Sequence, residues 1–302
     1  MNLSQIAQHA FKTQLERMQL NLAGCIEGED PIHLHDLRVA NRRTRVALSE
    51  FKKLLPDDIF QKYQEEFRWI HDITGPVRDL DVGLAHFPYY EKKISKNWRS
   101  ALIPAREMLE YKRQTAQAEL ADVLASNRIQ DCFHSWTSLL EDGVLEGNEH
   151  GLRSGPEFGC RRIIKRYRKT RKRGLKLNKK SPPEKYHDLR LRVKKLRYLM
   201  EFFQPVLDKE HTNRLRTELK KIQDALGAYQ DAVVQVASLI HMAENLQDTG
   251  SELKPILALG QLIGRYEKEI RRSRKKSLKA IRWLTGDAAA REFQRCFKYP
   301  VE

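Results

Sequence analysis

The stretch HDLRLRVKKLRYLMEFF, residues 187–203, has the periodicity of a helix with two contrasting faces. Read at about 100° per residue, one face is positively charged and carries His187, Arg190, Lys194 and Arg197. The opposite face is apolar and carries Leu189, Val193, Leu196, Met200 and Phe203. The outer face of a core-packed helix normally mixes charge signs. This pattern therefore predicts a helix that buries one side and offers cations to a ligand on the other.

The same pattern occurs 152 residues earlier, in HDLRVANRRTRVALSEF, residues 35–51. Its charged face carries His35, Arg38, Arg42 and Arg45. The offset runs without gaps and also matches Pro31 with Pro183, Phe51 with Phe203, and Gly75 with Gly227. Chance accounts poorly for one register over this length, so we interpret the chain as an internal duplication. The two segments are called the ladder helices below, and these eight side chains the ladder residues.

The composition predicts an all-α fold, because helix-forming residues dominate and β-branched clusters or Asn-Gly turns are scarce. We expect a single domain made of two repeats, residues 1–150 and 151–302, each a bundle of long helices. The glycine-rich stretch 143–159 is the expected linker. The expected helices span residues 3–22, 32–54, 59–74, 98–125, 129–141, 161–180, 183–203, 209–226, 229–246, 253–284 and 287–297.

Local signals predict where the ladder helices begin and where the next helix ends. Asp30 precedes Pro31, which is a favourable cap followed by proline at the first helical position. The Ser181-Pro182 pair is the expected cap of the second ladder helix. The Gly75-Pro76 pair is a stop signal for the helix that follows the first ladder helix.

Charge is abundant and unevenly divided. The chain has 56 Lys and Arg against 40 Asp and Glu, a formal net charge of +16. Residues 1–151 carry 19 cations and 23 acids, net −4, whereas residues 152–302 carry 37 and 17, net +20. Such an excess indicates a polyanionic partner: a nucleic acid, an anionic membrane or a phosphate polymer. A basic surface that serves solubility alone is the alternative that charge leaves open.

Cysteine usage and hydropathy predict a cytoplasmic protein with no membrane insertion. The four cysteines are scattered without a CxxC pair, which indicates free thiols in a reducing compartment and no structural zinc site. The first residues lack a basic segment followed by an apolar one, so we expect no signal peptide. The longest run without a charged residue is 232–243, 12 residues, which is too short to span a bilayer.

The ladder residues suit a chain of linked phosphates. Arg offers a planar fork for two phosphate oxygens, and Lys offers a compact charge. Neighbours one helical turn apart lie about 5–6 Å from each other, which is comparable to the charge spacing along such a chain. His gains charge when a polyanion raises its pKa. Two ladder helices brought together would form a positive groove, whereas solvated helix faces are the alternative.

His-Asp dipeptides at 35–36, 71–72 and 187–188 raise the alternative of a metal-dependent phosphohydrolase acting on polyphosphate or nucleotides. Such a site needs several acidic or neutral ligands that converge. Here the neighbours of His35 and His187 on their helix faces are cations, and Asp36 and Asp188 favour the helix dipole instead. We therefore predict no catalytic residues, no metal and no cofactor. Nucleic-acid binding through the same cations is a third hypothesis.

The doubled HDLR helices, together with TGPVRDLDV at residues 74–82 and LGAYQD at residues 226–231, resemble the CHAD family, a helical domain with characteristic histidines. The resemblance covers nearly the whole chain. It implies two pseudo-twofold-related four-helix bundles around a basic central groove. It also implies binding of inorganic polyphosphate rather than catalysis, and an association with polyphosphate granules in the cytoplasm.

On the matching positions, the resemblance implies that the polyphosphate-binding residues are His35, Arg38, Arg42, Arg45, His187, Arg190, Lys194 and Arg197. Further candidate cations are Arg43, Lys195, Arg68, Lys220, Arg78, Arg161, Lys165, Arg168 and Lys172. Asn41 and Thr44 make the first ladder helix more polar than the second, and the charge division predicts that the second ladder binds more strongly. Other polyanions are the alternative partners, and the sequence leaves the oligomeric state open.

Overall fold

The computed structural model describes residues 1–147 and 149–298. Within these ranges the chain forms twelve α-helices and no β-strand, which confirms the all-α prediction. The helices are α1 (Leu3–Glu27), α2 (Pro31–Glu50), α3 (Asp57–Ile73), α4 (Gly75–Ala85), α5 (Phe87–Lys93), α6 (Ile103–Leu124), α7 (Asn127–Glu141), α8 (Gly155–Leu175), α9 (Pro183–Phe202), α10 (Lys209–Asp248), α11 (Leu253–Thr285) and α12 (Asp287–Cys296). Short 3₁₀ segments occur at Lys52–Leu54, Lys96–Leu102 and Gln204–Val206.

The helix bounds repeat at the offset found in the sequence. α1 and α8 begin 152 residues apart, and so do α2 and α9, which are the two ladder helices. Phe51 and Phe203, which that offset matches, pack against each other with ring centroids 5.8 Å apart. The matched ends of the two ladder helices therefore lie next to each other.

The two repeats differ at the stop signal after the ladder helices. In the first repeat α3 ends at Ile73 and α4 begins at Gly75, whereas α10 runs through the equivalent Gly227 as one helix of 40 residues. The prediction of separate helices at 209–226 and 229–246 is therefore wrong. Gly75 is followed by Pro76, which has no N–H to donate to the carbonyl four residues earlier and whose ring crowds that carbonyl, so the helix is interrupted before it. Gly227 is followed by Ala228, which continues the helix without cost.

One of the two predicted helix caps makes a side-chain hydrogen bond to its helix. The Oδ1 atom of Asp30 accepts a hydrogen bond from the backbone N–H of Ile32 at 2.8 Å, which confirms the cap of α2. At α9, Pro182 of the predicted Ser181-Pro182 pair occupies the cap position, but no side chain caps the helix, because the Ser181 hydroxyl accepts from the backbone N–H of Asn178 at 3.1 Å.

The second repeat begins earlier than predicted. α8 starts at Gly155 rather than at residue 161, because the Ser154 hydroxyl accepts from the backbone N–H of Glu157 and Pro156 fits the first helical turn. The linker is correspondingly shorter than 143–159, and Asn148 within it lies outside the described residues.

The two repeats share their buried cores. The main core contains residues of α1, α2 and α3 together with residues of α8, α9 and α10. A second core joins the end of the first repeat to the second: Tyr90 and Leu102 pack with Leu239 and Leu262. The bundles predicted at residues 1–150 and 151–302 therefore do not have separate interiors.

In the described part of the chain, no helix has both the length and the apolar character needed to cross a membrane. The four cysteines are free thiols, as predicted, and three of them are buried. Burial raises the pKa of Cys25 and of Cys132 to about 12, which makes both thiols poor nucleophiles.

Candidate functional site

The ladder helices α2 and α9 bury their apolar faces as the periodicity predicts. Leu189, Val193 and Leu196 of α9 are fully buried, and Leu37 of α2 is 1% exposed. With that face in the core, the ladder residues lie on the other side of each helix. Seven of them are half-buried, and Lys194, at 9% exposed, is buried.

Arg38 of the first ladder is held by neutral acceptors. Its Nη1 atom donates to the backbone carbonyl of His71 and to the Thr74 hydroxyl, both at 2.6 Å. The Thr74 hydroxyl in turn donates to the carbonyl of Ile70 at 2.6 Å. Because these acceptors carry no formal charge, the positive charge of Arg38 is positioned but not neutralised.

Equivalent glycines lie beside equivalent arginines in the two repeats. A methyl group on Gly75 would lie 3.8 Å from Nη1 of Arg38, and one on Gly227 would lie 3.4 Å from Nε of Arg190. Arg38 therefore packs against the helix segment at Gly75. Arg190 packs against the matched helix segment at Gly227. A larger side chain at either glycine would enter the space of the guanidinium.

Cations of the two repeats come close together around Lys194. Burial, followed by the charges of Arg190 and Arg42, lowers the pKa of Lys194 to about 8, and Asp231 partly opposes the shift. Arg42 belongs to the first repeat, so this effect operates across the two ladder helices. Among the described residues, no carboxylate lies within ion-pair distance of Lys194. The structure thus places cations of both ladders next to Lys194.

Two histidines lie in the same positive environment. Burial, Arg78 and then Arg42 and Lys194 lower the pKa of His35, and Asp36 opposes them. This places Arg78, one of the additional candidates, next to the first ladder. Burial, followed by the charges of Arg38 and Arg45, lowers the pKa of His71 to about 4. Both imidazoles are therefore neutral at neutral pH in the free protein.

Several buried nitrogen atoms of the ladder residues lack hydrogen-bond partners within the described part of the chain. They are Nε of Arg42, Nε of Arg190 and Nδ1 of His187. A buried donor without an acceptor costs about 1–3 kcal/mol. An anion placed against these atoms would supply the missing acceptors.

The carboxylate of Glu201 in α9 lies next to arginines of both repeats. It accepts a hydrogen bond from Nη2 of Arg43 at 2.6 Å, and it lies 3.2 Å from Arg197 and 3.8 Å from Arg216. Arg43, predicted as an additional ligand, is therefore already paired with an acid and also lies over the ring of Tyr198. Arg197 is the one ladder residue that shares a carboxylate among the described residues.

A second carboxylate, that of Glu50 in α2, lies against α8 and not beside the ladder residues. Its side chain has no exposed surface, and it accepts a hydrogen bond from Arg162 at 2.6 Å and another from Arg166, both on α8. This buried cluster ties the first repeat to the second. Sequence reasoning did not identify it, because its members are remote in the chain.

The remaining additional candidates differ in their placement. Partial burial and then Arg166, Arg192 and Arg45 lower the pKa of Lys195, which places this lysine beside the first ladder helix. Lys195 is exposed, and so are the other six, which have no hydrogen bond or ion pair with a ladder residue of the opposite repeat within the described residues: Arg68, Lys220, Arg161, Lys165, Arg168 and Lys172. Of these, Arg161 pairs with Glu157 of its own helix at 2.6 Å. Lys220 lines a surface depression of about 370 Å³ that also contains Arg197 and Arg216.

The residues that sequence reasoning missed are Arg166, Arg192 and Arg216, which surround the predicted cations. Of these, only Arg166 had a sequence signal, the high density of basic residues in α8, whereas Arg192 lies on α9 and Arg216 on α10. That signal does not show which cations face inward. Within residues 1–147 and 149–298, no three His, Cys, Asp or Glu residues lie close enough together to hold a metal ion.

Fold and site define an all-α repeated domain in which two matching helices place histidines and cations side by side. The family model for the CHAD domain matches residues 9–240, and the chain belongs to the CHAD family. This family is associated with polyphosphate binding. The resemblance found in the sequence is thereby confirmed.

Two solved structures share this fold. The crystal structure of the CHAD domain from the plant Ricinus communis is 24% identical and has a TM-score of 0.77, covering 94% of this chain and 92% of that one. PptA from Streptomyces chartreusis is 16% identical with a TM-score of 0.67, and the match covers 93% of this chain and 99% of that one. No curated protein matches the chain.

Proposed function

We propose that this chain binds inorganic polyphosphate, without chemistry of its own, in a basic groove lined by the two ladder helices. The observation that carries the proposal is the position of Lys194, which is buried among Arg42 and Arg190 with no acid at ion-pair distance in the described structure. Like charges held together in a partly buried site are unfavourable. A polyanion converts this repulsion into attraction.

The arrangement suits repeated phosphates rather than a single anion. The ladder residues of one helix face are spaced by about one turn, and about 5–6 Å separates such neighbours. Arg38 is already oriented by His71 and Thr74, so less side-chain entropy is lost when it binds. Arg42, Arg190 and Lys194 have no competing carboxylate within ion-pair distance in the described structure.

The same surroundings argue against the hydrolase hypothesis. At such a site, the ligands of a divalent metal would be neutral imidazoles or carboxylates. His35 and His71 are neutral, but cations surround them and would repel a divalent metal. The polyphosphate chain itself is the anion that this environment favours.

Competition at one fixed salt concentration tests the proposal. Labelled long-chain polyphosphate bound to the full chain is displaced with unlabelled polyphosphate, duplex DNA or duplex RNA, each dosed by phosphate content. We expect polyphosphate to displace the label at concentrations at least about tenfold lower, a difference of about 1.4 kcal/mol. Equal displacement by all three would show a generic cation surface and contradict the proposal.

A phosphate-release assay tests the non-catalytic part. The chain is incubated with polyphosphate and Mg²⁺ or Mn²⁺, and we expect no phosphate above the background. Phosphate release that disappears in the variants His35→Ala or His187→Ala would contradict this part and favour the hydrolase hypothesis. The predicted cytoplasmic location and granule association follow from the same proposal, and imaging of the tagged full chain together with polyphosphate checks them.

A further inference from the structure

A second basic site lies outside the ladder residues, between α8 and α9. It is a depression of about 230 Å³, and every residue that lines it is a cation: Lys169, Lys172, Arg173, Lys176 and Arg192. The first four belong to the last two turns of α8 and the residue that follows it, and Arg192 belongs to the second ladder helix. We call this site the basic depression. The sequence prediction named Lys172 alone among its members.

One acid organises the basic depression without neutralising it. Asp188 accepts a hydrogen bond from Nε of Arg173 at 2.5 Å, and its two oxygens share a bifurcated bond from Nε of Arg192 at 3.0 and 3.1 Å. Burial of Asp188 opposes ionisation, but the bonds from these arginines lower the pKa of its carboxyl. Asp188 thus remains charged and joins α8 to α9. The lysines have no ion pair within the described structure.

The basic depression is absent from the first repeat. The 152-residue offset places Arg17, Leu20, Asn21, Gly24 and Ala40 at the five equivalent positions. Only one of these carries a charge. A role in packing would be expected to recur in both repeats, whereas a role in binding is compatible with a single copy.

Cations connect the basic depression to the ladder residues. Lys195 lies three residues after Arg192, so the two side chains share one side of α9 about 5–6 Å apart. Arg166, Arg192 and Arg45 each act on the pKa of Lys195, after its partial burial. Arg45 is a ladder residue of the first repeat. Positive charge therefore continues from the ladder helices over Lys195 to the basic depression.

We propose that the basic depression binds the part of a long phosphate polymer that extends beyond the ladder residues. This inference rests on the proposed function. If it is correct, the preference for long over short polyphosphate is a property of the second repeat. A short polyphosphate occupies the ladder residues alone, whereas a long one also reaches the basic depression. The α8 side of the site, from Lys169 to Lys176, is about 10 Å long at 1.5 Å per residue, which leaves room for several phosphate units.

The test uses the full chain, tripolyphosphate and a long-chain polyphosphate. The variant Lys169→Ala/Lys176→Ala removes two exposed lysines that make no ion pair within the described structure, so folding should be unaffected. We expect its affinity for the long chain to fall about tenfold, since each lost surface contact contributes about threefold. Its affinity for tripolyphosphate should stay as in the wild type. The variant Lys169→Arg/Lys176→Arg should bind both ligands as the wild type does.

A matched control separates the site from net charge. The variant Lys254→Ala/Lys268→Ala removes two exposed lysines of α11 and should leave both affinities unchanged. Equal losses for the short and the long chain in Lys169→Ala/Lys176→Ala, or the same loss of long-chain affinity in the control, would overturn the inference. A wild-type chain that binds neither polyphosphate would overturn the proposed function itself, which is a distinguishable result.

Discussion

The two ladder helices differ most at their ends, where each carries one glutamate in a different register. α2 ends with Ser49-Glu50 and α9 with Glu201-Phe202, so the acids are one residue out of step. One residue turns a side chain by about 100°. Glu50 is consequently buried against Arg162 of α8, whereas Glu201 lies on the side of the ladder residues.

This difference shows that the acid positions, and not the charge of each half, decide which ladder residues lie next to a carboxylate. Arg197 of the second ladder shares Glu201, whereas Arg42 and Arg45 of the first ladder have no carboxylate within ion-pair distance in the described structure. Much of the excess charge of residues 152–302 lies on exposed positions of α8 and α11. The stronger binding by the second ladder stays a prediction.

Reversing the charge of one ladder at a time should have the largest effect and compares the two repeats directly. We expect Arg190→Glu/Lys194→Glu/Arg197→Glu to weaken polyphosphate binding on the order of a thousandfold, about 4 kcal/mol. The change replaces attraction by repulsion at three contacts. Titration of labelled long-chain polyphosphate measures it, and circular dichroism should show unchanged helical content.

The matched variant is Arg38→Glu/Arg42→Glu/Arg45→Glu. If both ladders line one groove, its loss of affinity should be of the same order. Wild-type binding by the second-ladder variant would show that the ladder assignment is wrong. Wild-type binding by the first-ladder variant would show that the second repeat binds alone. Variants with Gln at the same positions should lose less affinity for polyphosphate, and the two ladders should rank in the same order as in the Glu variants.

Removing the buried glutamate should cost stability rather than affinity. Glu50→Gln leaves Arg162 and Arg166 without their anion, and breaking a buried ion pair costs about 3 kcal/mol or more of the free energy of unfolding. Urea unfolding measures it. Glu201→Gln is the control, since its half-buried carboxylate should cost about 1 kcal/mol. Equal costs would contradict the contrast between the two acids.

Binding should weaken with rising pH through the pKa of Lys194. This pKa is lowered to about 8 in the free protein, so Lys194 loses its charge above that pH, and a bound phosphate chain would restore the charge. The affinity should therefore fall by up to about tenfold per pH unit above this pKa. Lys194→Arg should remove this dependence, because Arg stays charged; an unchanged profile in that variant would contradict the assignment.

The same lysine predicts the opposite trend for the stability of the free chain. Its pKa is lower in the folded state than the ordinary 10.5, so the unfolded state binds more protons between about 8 and 10.5. The free energy of unfolding should rise with pH in that window. Unfolding in urea at several pH values checks the sign, with Lys194→Met as the control that removes the contribution.

The smallest expected effect is a gain. Glu201→Gln frees Arg43, Arg197 and Arg216 from their shared carboxylate. Polyphosphate should then bind about threefold more tightly, about 0.7 kcal/mol. Ser49 occupies the position equivalent to Glu201, so Ser49→Glu should weaken binding by a similar factor. A loss of affinity in Glu201→Gln would show that the carboxylate orients these arginines for binding.

Local patterns determined much of this protein. The 3.6-residue periodicity, which is set by neighbours in the chain, placed the buried leucines and the cations of α2 and α9 on opposite faces. The repeat at an offset of 152 residues paired the two helices, because it can be read directly by comparing the sequence with itself. The same local logic failed at Gly227, where Ala228 in place of proline lets α10 continue.

Tertiary structure alone decided which cations meet. The approach of Arg42 to Lys194, the burial of Glu50 by α8 and the joining of Arg173 to Arg192 through Asp188 all link residues that the sequence separates. A helix pattern states which face a side chain occupies but not which helix that face contacts. Packing around the shared core supplies that partner, and with it the balance of charge at the site.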